Sequence, residues 1–336
     1  MTDAQPIDLR FDVSTVVPEE GHYETAGWLF APPVDEIARP LTLIVGVPGG
    51  GYSRAYYHMR IPGHPGYSFG EYMAARGCLM LALDHIGVGD STRLRDGDLI
   101  DLKLMAACID EAVRQVRALI EAGDLLPGLA ATDDYRILGI GHSVGGAVMT
   151  TGQAHFETFD GIGVLGTTNL WPKHIQTPRD DDTPEQRRER TIMHLKELIG
   201  DKWDEVYFKV DRTKVRHWFH LDDVPDEVVA ADMAAATFTA RMVAVDTQTP
   251  YARIDLAARI KVPVLFALGE VDASPDPARE AGLYSASRAV TYYELPRSAH
   301  CHNFASTRHL FWDRIAEWSA TVDRVEGKPD PAPAAP

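Results

Sequence analysis

The chain has 336 residues, 45% of them hydrophobic and 24% charged, with a formal net charge of −16. That length suits one large α/β domain with an insertion, or two domains. The acidic balance argues against a nucleic-acid partner, because phosphate backbones select basic surfaces. No apolar run is long enough to span a bilayer, and Met1-Thr2-Asp3-Ala4-Gln5 lacks the basic and apolar regions of a signal peptide. Cys78, Cys108 and Cys301 form no metal-binding spacing and leave an odd one over. The expectation is a reduced, cytoplasmic protein without disulfides, not bound to membranes. A homo-oligomer is compatible with the sequence.

Residues 7–17 and 22–30 alternate enough for two strands, a hairpin at a sheet edge turning through Glu19-Glu20-Gly21. Residues 41–47 are a continuous apolar run between proline and glycine, which fits a fully buried strand. This run discharges into Pro48-Gly49-Gly50-Gly51-Tyr52. Residues 68–76 read as a short helix and 78–83 as another buried strand. The clearest helix follows, with Leu102, Met105, Ile109, Val113, Val116 and Ile120 at spacings of three and four. Asp98 is its expected N-cap and Gly123 its stop.

The apolar run from Arg136 to Ile140 leads into Gly141-His142-Ser143-Val144-Gly145, and a helix-compatible segment follows. Strands are expected again at 161–168, 262–269 and 289–295. A closing helix at 304–322 carries Phe311, Ile315, Trp318 and Val322 on one face. Alternating strands and helices predict an α/β fold, a mostly parallel, eight-stranded sheet with helices on both faces. Residues 169–255 are far longer than a usual crossover and predict an inserted helical cap. Thr183-Pro184-Glu185-Gln186 forms a capping box there, followed by an apolar side of Ile192, Leu195 and Ile199. A second cap helix is expected from 225 to about 245. The predicted organisation is therefore core at 1–168, cap at 169–255, core at 256–325, and a disordered tail at 326–336.

Gly-x-Ser-x-Gly placed between strand and helix is the sequence form of a nucleophile elbow. The pentapeptide alone arises by chance in roughly one chain in ten of this length, so its partners decide. A serine hydroxyl needs a histidine to take its proton and an acid to fix that histidine's tautomer. Such groups sit on loops beyond the strand C-termini. Asp272 follows the strand at 262–269, with Glu270 as competitor. His300 follows the strand at 289–295, with His302 as competitor. The expected oxyanion donors are the backbone N–H of Val144 and that of Gly49 or Gly50. Tyr52, His142, Trp171, Trp218 and Phe238 are the expected substrate-lining residues. Asp84 and Asp90 are expected to hold their glycine-rich turn. The run Asp180-Asp181-Asp182 reads as a solvated loop, and Cys301 as a packing residue. His217 and His220 likewise read as packing residues, and neither a metal nor a cofactor is expected.

Pro48-Gly49-Gly50-Gly51, the 84–91 loop, the 141–145 elbow, Asp272 and His300, in that order, resemble the α/β-hydrolase superfamily over roughly residues 22–322. The resemblance implies hydrolysis of an ester-like bond. One departure is Pro48, where many members have histidine before the oxyanion glycines; Tyr52 is a candidate side-chain donor in compensation. The expected substrate is a medium-sized, largely apolar ester, lactone or thioester. The same triad also supports acyl transfer, cofactor-free perhydrolysis or carbon–carbon bond hydrolysis, and the fold also occurs in non-catalytic ligand-binding proteins.

Overall fold

A computed structural model describes residues 5–173, 178–179 and 181–325. The expected tail at 326–336 and Asp180 lie outside the described residues. Strands β1 (Ile7–Asp12) and β2 (Glu24–Phe30) form the antiparallel hairpin at one edge of the main sheet. They are followed by β3 (Leu41–Val47), β4 (Leu79–Leu83), β5 (Tyr135–His142) and β6 (Gly161–Leu165). A two-residue antiparallel pair, β7 (Tyr207–Phe208) and β8 (Thr239–Ala240), lies inside the long insertion. The main sheet then resumes with β9 (Val264–Gly269) and β10 (Val290–Leu295). Its order is β1-β2-β4-β3-β5-β6-β9-β10, eight strands in all, parallel from β4 to β10.

The helices are α1 (Phe69–Ala74), α2 (Leu102–Ala122), α3 (Val144–Phe156), α4 (Pro184–Ile199), α5 (Arg216–Phe219), α6 (Asp226–Ala234), α7 (Arg241–Gln248), α8 (Ile254–Ala257), α9 (Pro277–Gly282) and α10 (Arg308–Thr321). The two-residue period of the strands divides the core. Leu41, Leu43, Val45 and Val47 of β3 face one way, onto Met105, Ile109, Val113 and Val116 of α2 and Ala147 and Val148 of α3. Ile44, Met80, Leu138 and Ile140 face the other way, onto Phe69 and Met73 of α1 and Phe311, Ile315 and Trp318 of α10. Each such side chain contributes about 1.5–3 kcal/mol by leaving water. Both faces being covered explains why the central strands read as unbroken apolar runs.

Three local expectations are corrected. The N-cap of α2 is Asp101, whose Oδ1 accepts the Leu104 N–H at 2.7 Å. Asp98 sits in a preceding 3-10 turn and instead takes both arms of the Arg241 guanidinium. The helix expected from 225 to 245 breaks into α6 and α7, because 237–240 run extended: Thr237 N–H donates to the Gly51 carbonyl at 2.9 Å and Thr239–Ala240 pair with β7. Local propensity yields there to tertiary bonds. Asp182 is buried and receives Arg190 Nε at 2.9 Å, so it is not part of a solvated run. The capping box of α4 forms as its residues predict. Leu195 packs with Phe208, Ala244 and Val245, joined by Ile192, Ile199, Trp203 and Met242, which gives the insertion a small core of its own.

The loop after β4 is built around Asp84. This carboxylate is fully buried and paired with the buried Arg54 guanidinium, and it also accepts the Arg54 N–H at 2.5 Å and the Asp90 N–H at 2.9 Å. Gly89 is forced by the same carboxylate, since a Cβ there would lie 2.2 Å from Asp84 Oδ2. The neighbouring His85 is buried, and its Nε2–H donates to the Pro48 carbonyl at 2.8 Å, tying this loop to the one after β3. Burial lowers the His85 pKa to about 4.

Two outcomes are expected. Gly141→Ala would place a Cβ 2.1 Å from the Gly145 carbonyl oxygen, and should destabilise the protein by about 3 kcal/mol in urea unfolding. For His85, the folded-state pKa lies below that of the unfolded chain, so protons favour unfolding. Its contribution is intact above about pH 6.5, declines as pH falls toward 4 and is flat below that. The decline is about 3 kcal/mol, and urea titrations across this window should show a shallower pH slope for His85→Gln.

Candidate active site

The turn between β5 and α3 carries Ser143 at φ +56° and ψ −115°, a conformation side-chain-bearing residues rarely hold. Such a residue costs on the order of 1–3 kcal/mol unless its surroundings over-determine it. They do. Ser143 N–H donates to the Leu165 carbonyl at 2.8 Å, and Ala147 N–H donates to the Ser143 carbonyl at 3.2 Å. The flanking glycines are required by contact: a Cβ on Gly145 would lie 2.4 Å from the Val47 carbonyl oxygen and 2.7 Å from that of Pro48. The elbow therefore presses directly on the end of β3.

The loops after β9 and β10 deliver the partners. The Ser143 hydroxyl is 3.0 Å from His300 Nε2, and His300 Nδ1–H donates to Asp272 Oδ1 at 2.6 Å. Ser143 is half-buried, whereas His300 and Asp272 are buried. Asp272 also accepts the N–H of Ala273 on Oδ1 at 2.7 Å and that of Gly269 on Oδ2 at 2.8 Å. His302 is not beside the serine. Its Nε2–H donates to Asp272 Oδ2 at 2.7 Å, so two imidazoles share one carboxylate. Burial alone would raise the Asp272 pKa; the attraction of His300 and the hydrogen bonds from both histidines outweigh it and hold the carboxyl far below the usual range. Glu270 is exposed and accepts the Arg297 N–H at 2.9 Å.

The glycine loop after β3 lies against the elbow. A Cβ on Gly49 would sit 3.1 Å from Ser143 Cβ, and one on Gly50 would sit 2.9 Å from a Val144 methyl. Val144 opens α3, so its N–H is one of the first-turn donors without an intrahelical acceptor, at the positive end of the helix dipole. Trp218 of α5 stacks on the His300 ring, 4.1 Å between centroids and 17° between planes, and Phe219 is tilted against it at 5.6 Å.

The other residues expected to line a pocket make the following contacts. His142 is buried, stacked on Tyr56 at 4.6 Å, and its Nε2–H donates to the His300 carbonyl at 2.7 Å. Burial, then the neighbouring His300 and His302, keep it well below the usual histidine pKa and hence neutral. Tyr52 is buried and its hydroxyl donates to Asp232 Oδ2 at 3.0 Å, so that hydrogen is committed away from the serine. Trp171 packs edge-on to Tyr251, and Phe238 lies beneath the Arg93 guanidinium at 4.5 Å.

Sequence reasoning missed a buried polar cluster beside this site. His220, Asp232 and Cys301 bring donor atoms within 4.8 Å of one another, while His217 is exposed and apart. His220 Nε2–H donates to Asp232 Oδ2 at 2.8 Å, and Cys301 Sγ lies 3.1 Å from the Tyr52 oxygen. The positive charge a buried carboxylate requires is supplied by Arg212, whose Nη1 is 3.3 Å from Asp232 Oδ1. The cluster is thus an ion-pair network centred on Asp232, in which His220 Nδ1 is buried without a hydrogen-bond partner among the described residues. Arg212, His220 and Asp232 come from the insertion, and no spacing in the sequence links them to Tyr52 or Cys301.

Residues 44–314 match the model of the Alpha/beta hydrolase family. No curated protein matches the sequence. Among solved structures, a soluble variant of monoglyceride lipase from Saccharomyces cerevisiae is similar with a TM-score of 0.65 at 12% identity, over 97% of this chain and 97% of that one. A thermophilic esterase from Thermogutta terrifontis gives 0.59 at 14% identity, over 95% of this chain and 100% of that one. The enol-lactonase of Burkholderia xenovorans LB400 gives 0.59 at 16% identity, over 89% and 97%. At such identities these structures share the fold alone. The family match spans every strand from within β3 to β10, together with the elbow and both partner loops, and the chain belongs to the alpha/beta hydrolase family.

Proposed function

We propose that the protein is a serine hydrolase that cleaves a carboxylic ester, lactone or thioester through an acyl-enzyme. The observation that carries this reading is the unbroken hydrogen-bonded series from the Ser143 hydroxyl through His300 to Asp272, set on a strained turn at the head of a helix. In this reaction His300 Nε2 takes the hydroxyl proton as Ser143 Oγ attacks the substrate carbonyl. The negative charge that develops on the carbonyl oxygen is met by the N–H of Val144 and that of Gly49 or Gly50. Losing one such donor costs about 3 kcal/mol of transition-state stabilisation. Asp272 fixes the tautomer of His300 and balances the imidazolium. The stacked face of Trp218 favours that cation as well. His300 returns the proton to the leaving group, and a water activated by the same imidazole then releases the acid.

Residues 169–255 act in this reading as a cap. Trp218 and Phe219 reach the base from it, and their apolar faces favour an acyl or lactone portion of medium size. The acidic chain takes a small-molecule substrate.

Ser143→Ala should lower turnover by about 10⁴-fold or more with an unchanged unfolding midpoint, and should abolish labelling by a fluorophosphonate seen in intact-mass spectra. Substantial residual turnover in that variant would overturn the assignment. Across p-nitrophenyl esters from acetate to dodecanoate, kcat/KM should rise from the two-carbon acyl group to a maximum at intermediate length. A maximum at acetate would remove the argument for a medium-sized apolar substrate. Adding an alcohol or peroxide to the same assays should leave the free acid as the main product; trapping most of the acyl group would point to transfer instead.

A further inference from the structure

We propose that Arg212 is a positioning residue for the glycine loop after β3, holding that loop in the shape that meets the substrate oxygen. This rests on the serine-hydrolase reading. Gly49-Gly50-Gly51 is three consecutive glycines, the backbone with the most freedom to lose on ordering, so its shape must be imposed from outside. The imposing contacts are visible on both sides. Upstream, His85 fixes the Pro48 carbonyl. Downstream, Gly51 sits at φ +71°, and its carbonyl accepts from both Arg212 Nη2 and Thr237 N–H.

Arg212 is itself built in. It is 5% exposed, precedes α5, and reaches a residue 161 positions earlier in the chain. Its Nη1 donates to the Asp232 main-chain carbonyl at 3.0 Å and to Oδ1 at 3.3 Å, and its guanidinium carbon lies 3.6 Å from the centre of the Tyr52 ring. Asp232 Oδ2 receives the Tyr52 hydroxyl and His220 Nε2–H. Tyr52 N–H closes the loop onto the Gly49 carbonyl at 3.2 Å. One planar cation therefore grips Gly51 through its carbonyl and Tyr52 through its ring, and is braced by a carboxylate from α6. A lysine has neither the fork nor the plane to bond two acceptors in two directions at once. Gly49 and Gly50 lie so near Ser143 and Val144 that an added Cβ on either would crowd them, so a shift of Gly51 moves peptide groups of Gly49 and Gly50 that stand beside the serine and bind the developing charge. A displacement of about 1 Å at such a site costs about 100-fold in rate.

The test compares wild type with Arg212→Met and Arg212→Lys on a p-nitrophenyl ester. Each protein is also assayed for inhibition by an alkyl trifluoromethyl ketone, which binds as a tetrahedral oxyanion, and by the product carboxylic acid, which does not. Arg212→Met should lower kcat about 10- to 100-fold with KM within about threefold, and weaken the ketone by the same factor while the acid binds as before. Arg212→Lys should fall between the two. If Arg212→Met does not fold, the Arg212→Lys comparison decides alone. An unchanged kcat, or equal weakening of ketone and acid, overturns the positioning role. Failure of the hydrolase reading is separately visible as activity retained in Ser143→Ala.

Discussion

The structure turns on a backbone approach that admits no side chain. Gly145, at the start of α3, lies against the carbonyls of Val47, which ends β3, and of Pro48, which opens the next loop, so close that a single added carbon would collide with both. This contact sets three things together. It forces the turn at Ser143 into its positive-φ form. It aims the free amides of α3 at the serine. It also brings the glycine loop after β3 to the same place, because that loop begins where the contact ends. The central strands β3 and β5, paired along the whole of β3, hold the approach in register.

Around this centre, buried charge is arranged in closed units. Asp84 with Arg54, Asp232 with Arg212, and Asp272 with its two histidines are each shielded from water and each paired. Such pairs add little net stability over apolar replacements, but breaking one strands a charge in the interior at about 3–5 kcal/mol. Their role here is positional. The first shapes the loop after β4, the second joins the insertion to the loop after β3, and the third orients His300. The glycine-rich loops after β3 and β4 are thus restrained by side-chain chemistry that their own sequences do not provide.

Much of this was legible in the residues. The central strands show as apolar runs because both their faces are covered, and α2 shows as a stripe because one of its faces is wet. Glycines at the elbow, and an acid and a histidine just past late strands, mark the candidate site in chain order. Other features were not legible. Asp98 and Asp101 are the same residue type at the same helix start, and only the distant Arg241 decides which of them caps. For Tyr52 and His142, which read as pocket residues from their place beside the loop and the elbow, no sequence signal shows that the Tyr52 hydroxyl bonds Asp232 or that His142 Nε2 bonds the His300 carbonyl. The break between α6 and α7 has no strong signal in Ala235-Ala236-Thr237; the Gly51 carbonyl, far away in the chain, creates it. Periodicity reports which faces are buried, not which distant atoms bond.

Asp272 has no oxygen left over. Four N–H groups, two from rings and two from peptides, saturate its lone pairs. A carboxylate so enclosed cannot swing toward solvent or trade its histidine for a water.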